Sequence, residues 1–388
     1  MAFADDLAAL AVGEWLVAPS TGNYRLSDVY ASPSPTGSQG AIIGSWNGAF
    51  YDSYRKDLVL LACGGHNDYY GNEVYAFNCD PLSGNYLTWR RKAFYSTESS
   101  GSVVENFSDD TPSSAHTYNN TMYDDGNDQA LRLPGVFVNG STGAFTERTY
   151  SFDMATESPS AAAPSAWSRL DDITLPAPGG GPYPIAIWDP VNQLAWIECD
   201  DGLVVFDPNE TATNQYTALT SFESGTSNSG RYTSIYIPDA TTPLLFRVGN
   251  SYTQTRDLTT PYAKHLLGQS GDNAISGDNG PGLLWDPINE RVVAWGGTLS
   301  GGTDNRDLYF YDLDTETWTR SAGSGDIPDN PEANGTFGRF QYIGDGLAVL
   351  VNSTTSNVYF VRISGGGASG GDSMAWHKHK KYQHILVR

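Results

Sequence analysis

Residues 48–78 read GAFYDSYRKDLVLLACGGHNDYYGNEVYAFN and contain a repeating strand and turn pattern. The runs DLVLLA (57–62) and EVYAF (73–77) are rich in aliphatic and aromatic side chains, and Gly, Asn and Asp bound both of them. Apolar runs between turn-forming residues are typical of β-strands. The stretch therefore predicts a hairpin with His66 in its loop, preceded by a strand that ends in FYD.

The same pattern recurs along the chain, and internal repeats decide a fold where they exist. An apolar strand, a turn and a second apolar strand occur at residues 48–62, 120–133, 185–198 and 283–295, with weaker versions at 234–248 and 339–351. A third strand follows each pair, at residues 74–78, 149–153, 203–207, 252–257, 308–312 and 358–362. A fourth strand follows five of these, at residues 88–94, 166–170, 215–222, 261–267 and 317–323.

The sixth unit lacks a fourth strand of its own, whereas EWLVAP (14–19) has the same character and precedes the first unit. We therefore predict an all-β, six-bladed propeller in which this N-terminal strand completes the last sheet, because a closed ring leaves no open sheet edge. The predicted organisation is an N-terminal segment (1–13), the propeller (14–364), a Gly/Ser-rich linker (365–373) and a basic, extended C-terminal arm (374–388). One helix is expected, in ADDLAALA near the N-terminus.

Two stretches, CGGHNDYYGNEVYAF (63–77) and WGGTLSGGTDNRDLYFYDLDTETWTR (295–320), resemble the repeat of the kelch-like propellers. Both have Gly-Gly after the second strand and aromatic residues in the third, and the longer one also has a Trp in the fourth. The resemblance implies the fold over residues 14–364 but leaves the function open, since kelch propellers act as enzymes, sugar binders and protein-interaction platforms. The kelch-like oxidases need copper and a cysteine-modified tyrosine. We expect no cysteine on the face of the ring that carries the loops between second and third strands and the links between blades, so we set that activity aside.

The charge and the segments of the chain limit the partners. Lys and Arg number 22 against 44 Asp and Glu, which gives a net charge of −22 and disfavours nucleic acid and anionic membranes as partners. The first fifteen residues, MAFADDLAALAVGEW, lack the features of a secretory signal, and no run approaches the ~18 apolar residues of a membrane span. We expect synthesis in the cytoplasm, with Cys63, Cys79 and Cys199 reduced.

The candidate site lies on one face of the ring. Loops between second and third strands, and links between blades, share this linking face, whereas the other turns lie on the opposite far face. The predicted ligand-binding residues are Trp46, His66, Asp68, His116, Tyr118, Arg231, Tyr232 and Arg339. Aromatic faces beside His, Asp and Arg suit a surface glycan, and the arginines point to an anionic group on it.

Several alternatives stand beside glycan binding. His66 could simply cap backbone groups of the next blade. In a polysaccharide lyase, His66, His116 and Tyr118 would transfer protons and Arg231 would neutralise a uronate carboxylate. A kelch protein-interaction module is a third possibility. We expect no cofactor and no metal, although His66, His116 and Asp68 could form a metal cluster and SGDNAISGDNGPG (270–282) could hold Ca²⁺.

The arm, MAWHKHKKYQHILVR (374–388), combines basic and aromatic residues after a Gly/Ser-rich linker. Its predicted partner-binding residues are Trp376, Lys378, Lys380, Lys381 and Tyr382. We expect it to dock on another copy or another protein of a particle; a tail that binds nucleic acid and an addition foreign to the native protein are the alternatives. A glycan-binding propeller with such an arm fits a phage virion component, such as a tail fibre, tail tip or head decoration.

Overall fold

The computed structural model is a six-bladed β-propeller. It describes residues 2–32, 34–65, 68–96, 107, 109–134, 137–138, 148–160, 166–172, 185–199, 202–211, 214–219, 232–238, 242–299 and 306–365. The innermost strand of each blade contacts those of the neighbouring blades, and blade 6 contacts blade 1, which closes the ring. The six-bladed prediction is confirmed.

Each blade is built on four antiparallel strands, named in order from the central axis outward. Blade 1 has Phe50–Asp52, Asp57–Leu61, Val74–Asn78 and Trp89–Ala93; blade 2 has Thr121–Asp124, Gln129–Arg132, Arg148–Asp153 and Trp167–Asp172; blade 3 has Ile185–Asp189, Leu194–Cys199, Gly202–Phe206 and Tyr216–Leu219. Blade 4 has Thr233–Ile237, Leu244–Gly249, Tyr252–Asp257 and Lys264–Leu266; blade 5 has Gly282–Asp286, Arg291–Trp295, Leu308–Asp312 and Thr317–Ser321; blade 6 has Phe340–Gly344, Leu347–Leu350, Tyr359–Arg362 and Glu14–Val17.

The N-terminal strand closes blade 6, as the sequence predicts. Glu14–Val17 runs antiparallel to Tyr359–Arg362, with Trp15 opposite Val361 and Val17 opposite Tyr359. Trp15 is buried and meets the ring of Trp295 in blade 5 edge-on, with 5.9 Å between centroids. The closing strand therefore pairs with blade 6 through its backbone and contacts blade 5 through the side chain of Trp15.

The core lies between the faces of neighbouring blades. Every residue of Asp57–Leu61 and Val74–Asn78 is buried, because both faces of these middle strands are covered. The outermost strand Trp167–Asp172 contains no fully buried residue. The middle strands thus read as nearly continuous apolar runs, which is why the repeats are visible in the sequence.

Few helices accompany the blades in the described part of the chain. The expected N-terminal helix spans Ala2–Ala9, and the other helical turns are Leu26–Val29, Ala41–Gly44, Asn273–Gly277 and Phe337–Arg339. Short strand pairs join Ala115–His116 to Phe137–Val138 and Asp278–Asn279 to Thr298–Leu299, while Ser270–Gly271 and Ser324–Gly325 add parallel segments to blades 5 and 6. Within the described ranges, no helix has the length and apolar character that crossing a bilayer requires.

Buried aspartates fix the far-face turns between first and second strands. Asp52, Asp124, Asp189 and Asp286 are fully buried, and one carboxylate oxygen of each accepts the amides of the residues two and three positions later, at 3.0–3.4 Å. Asp is favoured in such turns because its side chain replaces a backbone acceptor. These hydrogen bonds explain why the first strand of each of these four blades ends in Asp.

Candidate functional site

Three equivalent linking-face loops each present an aromatic residue just before an innermost strand. They are SWNG (45–48), TYNN (117–120) and TFGR (336–339), in blades 1, 2 and 6. Trp46, Tyr118 and Phe337 have φ angles of 52°, 45° and 48°. This left-handed conformation costs roughly 1–2 kcal/mol for an L-residue, so the surrounding contacts must hold it.

Close backbone contacts hold these loops together. The amide of Tyr118 donates to the carbonyl of Trp46 at 2.8 Å, and a Cβ on Gly48 would lie 2.0 Å from the carbonyl oxygen of Tyr118. The ring of Tyr118 meets that of Phe337 edge-on at 5.6 Å. Blades 6, 1 and 2 therefore form one continuous wall at this end of the axis.

His116 lies at the centre of a cluster that also contains Asp68, Tyr118 and Trp46. Its Nε2 lies 3.3 Å from Oδ2 of Asp68 and its Nδ1 lies 3.4 Å from the hydroxyl of Tyr118. The ring of Trp46 lies 4.8 Å from the imidazole. Gly65, with φ of 76°, leaves room for the imidazole, because a Cβ there would approach Cδ2 of His116 to 2.2 Å.

The cluster runs from solvent into the protein. The Asp68 side chain is 43% exposed and Trp46 is half-buried, whereas His116 and Tyr118 are buried. A carboxylate, an imidazole and a phenol are thus placed in series beside a partly exposed indole. This arrangement can hydrogen-bond a polar ligand, stack on a ring or relay a proton.

Two hydrogen bonds hold the loop that carries Asp68 in place. The amide of Ser38 donates to the Asp68 carbonyl at 2.7 Å, and Tyr69, the next residue, donates its hydroxyl to Oε1 of Glu73 at 2.5 Å. Burial raises the pKa of Glu73 to about 7, although the Tyr69 hydrogen bond and the charge of Arg91 oppose the rise. The position of Asp68 therefore depends on a buried carboxyl that titrates near neutral pH.

Arg339 lies inside the wall, not on its surface. It is fully buried, and its guanidinium donates to the carbonyls of Asn47 at 2.9 Å, Val351 at 2.7 Å and Gly335. Burial lowers its pKa to about 10. This placement favours a structural role that joins blade 6 to blade 1; the predicted ligand contact of Arg339 stays a prediction.

The other predicted residues are spread over the ring. Tyr232 is buried at the start of blade 4, with the guanidinium of Arg247 5.0 Å from its ring centroid. His265, which is not one of the predicted site residues, lies half-exposed on the outermost strand of blade 4, with its Nε2 3.3 Å from Oδ1 of Asp257. His66, Arg231 and the five partner-binding residues of the arm lie outside the described residues.

One cysteine does lie at the linking face, contrary to our expectation. The sulfur of Cys63 is buried 3.7 Å from the carbonyl of Gly48 and 3.6 Å from the Thr117 hydroxyl, behind the loops of blades 1 and 2. Burial raises the pKa of this thiol to about 11, so it is neutral at physiological pH. Cys63 and Cys79 are free thiols, as predicted, and the side chain of Cys199 is not among those that the structure describes.

The sequence pattern did not reveal the polar residues that join the loops. Asn47 is buried, accepts the amide of Thr117 at 2.9 Å and donates to Ala41 at 2.9 Å. Asn119 donates to the carbonyls of Ala186 at 3.0 Å and Ser234 at 2.8 Å, which links blade 2 to blades 3 and 4. The Ser/Thr-aromatic pair shared by the three loops is the signal that would have identified Phe337.

No described group of three or more His, Cys, Asp or Glu side chains could hold a metal ion. The proposed cluster of His66, His116 and Asp68 is only partly described, because His66 is not. The acidic loop 270–282 is ordered by backbone pairing, with Asp278 opposite Leu299 and a helical turn at Asn273–Gly277. Its first part runs beside the outermost strand of blade 5.

Comparison with known proteins gives structural likeness alone. No family model matches the chain, and neither does any curated protein. A structural genomics protein of unknown function from Bacteroides thetaiotaomicron is 10% identical over 91% of this chain and 73% of its own, with a TM-score of 0.46. A fungal alcohol oxidase of the AA5 family, in complex with copper, is 12% identical over 81% of this chain and 61% of its own, also with a TM-score of 0.46. Neither likeness assigns an activity.

Proposed function

We propose that the linking face binds a glycan through Trp46, Asp68, His116 and Tyr118. The observation that carries this proposal is the half-buried indole of Trp46 beside the chain from Asp68 through His116 to Tyr118. A sugar ring would lie against the indole face, and a hydroxyl would donate to the exposed Asp68 carboxylate. Arg231, which directly precedes blade 4 in the sequence, would supply a cation for an acidic sugar.

The strained backbone supports a binding role. Aromatic residues in the left-handed region persist only where surrounding contacts over-determine them, and such residues concentrate at ligand sites. Here Trp46 and Tyr118 both adopt this conformation beside His116, with ring centroids 4.8 Å and 5.9 Å from the imidazole. A rigid aromatic wall loses little conformational entropy when a ligand binds.

Glycan-array binding followed by titration calorimetry tests the proposal. We expect Trp46→Ala to weaken binding about tenfold or more, because stacking and buried apolar area together are worth roughly 1–2 kcal/mol. Trp188→Ala is the matched control, since Trp188 is also half-buried but lies at the far-face end of the innermost strand of blade 3. Equal affinities of the two variants would exclude the site.

A polysaccharide lyase is the second candidate, favoured by the hydrogen-bonded series of carboxylate, imidazole and phenol. In that reaction a base removes the proton beside the uronate carboxylate and an acid protonates the leaving oxygen. Incubation with uronate polysaccharides, followed by ultraviolet absorbance of the unsaturated product, separates binder from lyase. For a binder the absorbance stays flat; for a lyase it rises, and Tyr118→Phe slows the rise more than it weakens binding.

We also propose that the protein belongs to a phage particle, which it joins through residues 374–388. The composition of the arm supports this, since four Lys and Arg residues accompany Trp376 and Tyr382 in a chain of net charge −22. Deletion of residues 365–388 should leave a folded propeller, because Glu14–Val17 completes the described sheet of blade 6. The truncated chain should fail to join its assembly; normal incorporation would contradict the proposal.

A further inference from the structure

We infer that the far face of the propeller is the docking surface for the arm, residues 374–388, of a second copy of this chain. The inference rests on the proposed role of the arm and is independent of the glycan site, which lies at the opposite end of the axis. It assigns an acceptor surface, an orientation and a symmetry to the contact.

The far face carries exposed apolar side chains at equivalent positions of alternate blades. Tyr54, Val191 and Ile288 occupy the same place in the Asp-anchored turns of blades 1, 3 and 5, and they are 78%, 61% and 47% exposed. The equivalent residue of blade 2 is Gly126, which has no side chain. An exposed tyrosine and two aliphatic residues in rigid turns are typical anchor points for a partner.

These turns and the far-face turns between third and fourth strands are acidic. Exposed carboxylates there include those of Asp125, Asp153, Glu210, Glu290, Asp312, Asp314 and Asp345. The basic side chains Arg55, Lys56 and Arg291 lie in these turns too, but each is paired with an aspartate, at 3.0, 3.0 and 3.2 Å. The surface therefore offers negative charge around apolar anchors, and the arm offers Lys378, Lys380 and Lys381 between Trp376 and Tyr382.

The chain leaves the ring on this face. Ile363 and Ser364 follow the third strand of blade 6 and bond to Gly346 in the far-face turn of that blade. The carbonyl of Ile363 also accepts Nη2 of Arg291 at 2.7 Å, three residues from Ile288. The last described residues of the chain therefore lie beside one of the three anchors.

Because Ser364 lies on the far face, next to Gly346, an arm that docks on the far face of a second copy suits reciprocal exchange. Two copies related by a two-fold axis, far face to far face, would each give an arm and receive one, which closes the assembly as a dimer. Docking of the first arm places the second at a high effective concentration, so the pair binds more tightly than one arm alone. The arms would also neutralise part of the repulsion between two acidic faces.

Sedimentation velocity of the full chain over a concentration series, combined with hydrogen exchange, tests this. We expect a dimer in which the arm and the far-face turns are protected, and which dissociates as salt is raised. Tyr54→Ser/Val191→Ser/Ile288→Ser should raise the dimer Kd at least tenfold. Leu266→Ser is the matched control, because Leu266 is 68% exposed on the outermost strand of blade 4, away from the far face; its Kd should equal that of the native chain.

Three results would overturn the inference. The first is a full chain that stays monomeric with an unprotected arm; the second is a monomer with a protected arm, which would mean that the arm folds onto its own ring. The third is a dimer whose Kd changes equally in the triple variant and in Leu266→Ser. Failure of this inference leaves the glycan site untouched, because Trp46→Ala and the far-face variants alter opposite ends of the molecule.

Discussion

Replacing Glu73 with Gln should remove a pH-dependent loss of stability. Glu73 is buried, its Oε1 accepts the hydroxyl of Tyr69 at 2.5 Å, and burial raises its pKa from 4.5 to about 7. Between those two pH values the unfolded chain has released this proton while the folded chain still holds it. The free energy of unfolding therefore falls as pH rises through this range, by roughly 3 kcal/mol in total at 1.36 kcal/mol for each pH unit.

The measurement is urea unfolding of the native chain and Glu73→Gln between about pH 4.5 and about pH 8. Gln is neutral throughout and its carbonyl can still accept the Tyr69 hydrogen bond. The difference in unfolding free energy between variant and native chain should therefore rise by roughly 3 kcal/mol across this range and then level off. Asp52, whose pKa burial also raises, is present in both proteins and cancels in the difference.

Tyr69→Phe provides a second measurement. The Tyr69 hydrogen bond favours the ionised form of Glu73, so its loss should move the midpoint of the pH-dependent step to higher pH. If the unfolding free energies of Glu73→Gln and the native chain differ by an amount that stays constant with pH within about 0.5 kcal/mol, Glu73 is ionised in the folded protein. The same result would refute the argument from burial.

Three further changes should show which contacts hold the ring. Asp189→Ala should destabilise by about 2–4 kcal/mol in thermal or urea unfolding because it removes a fully buried carboxylate that accepts two backbone amides, whereas the exposed Asp153→Ala should cost under about 1 kcal/mol; equal effects would contradict the role of burial. Glu198→Gln should cost about 3–5 kcal/mol at neutral pH, because Arg247 loses the partner it holds at 3.0 Å. Burial opposes ionisation of Glu198, but its arginines keep its pKa below the ordinary value, so this difference should shrink as pH falls below about 4. Trp15→Ala should cost about 3–5 kcal/mol and expose residues 14–17 to hydrogen exchange; retained protection would argue against a closing role.

The repeats made the architecture predictable. Middle strands covered on both faces must be apolar, and tight turns must carry Asp or Gly, so each blade shows its own pattern in the sequence. The closing role of Glu14–Val17 followed from one missing strand at the C-terminal end of the pattern and one extra strand at the other. The blade pattern and the closing strand could both be inferred because each depends on short apolar runs and turn residues, which recur in every repeat.

The site was less predictable because the direction of a polar side chain depends on distant backbone. Arg339 stands where a ligand-binding arginine would be expected, but it bonds to carbonyls of Asn47 and Gly335 and is buried. The sequence predicts no cysteine on the linking face, whereas Cys63 lies just beyond the strand that ends at Leu61, with its sulfur 3.6 Å from the Thr117 hydroxyl. Asn47 and Thr117, which join blades 1 and 2, resemble ordinary loop residues in the sequence.

The closure of blade 6 has a consequence for synthesis on the ribosome. Val17 and Tyr359 are strand partners separated by roughly 340 residues. At the usual 5–20 residues per second, the N-terminal strand waits about 20–70 s for its partner to emerge. Throughout that interval Trp15 and the unpaired edge of Glu14–Val17 are available to chaperones, or to the same strand of another nascent chain on the same messenger RNA. Co-translational yield should therefore depend on how sparsely ribosomes are spaced along the message, even though the finished ring has no such edge.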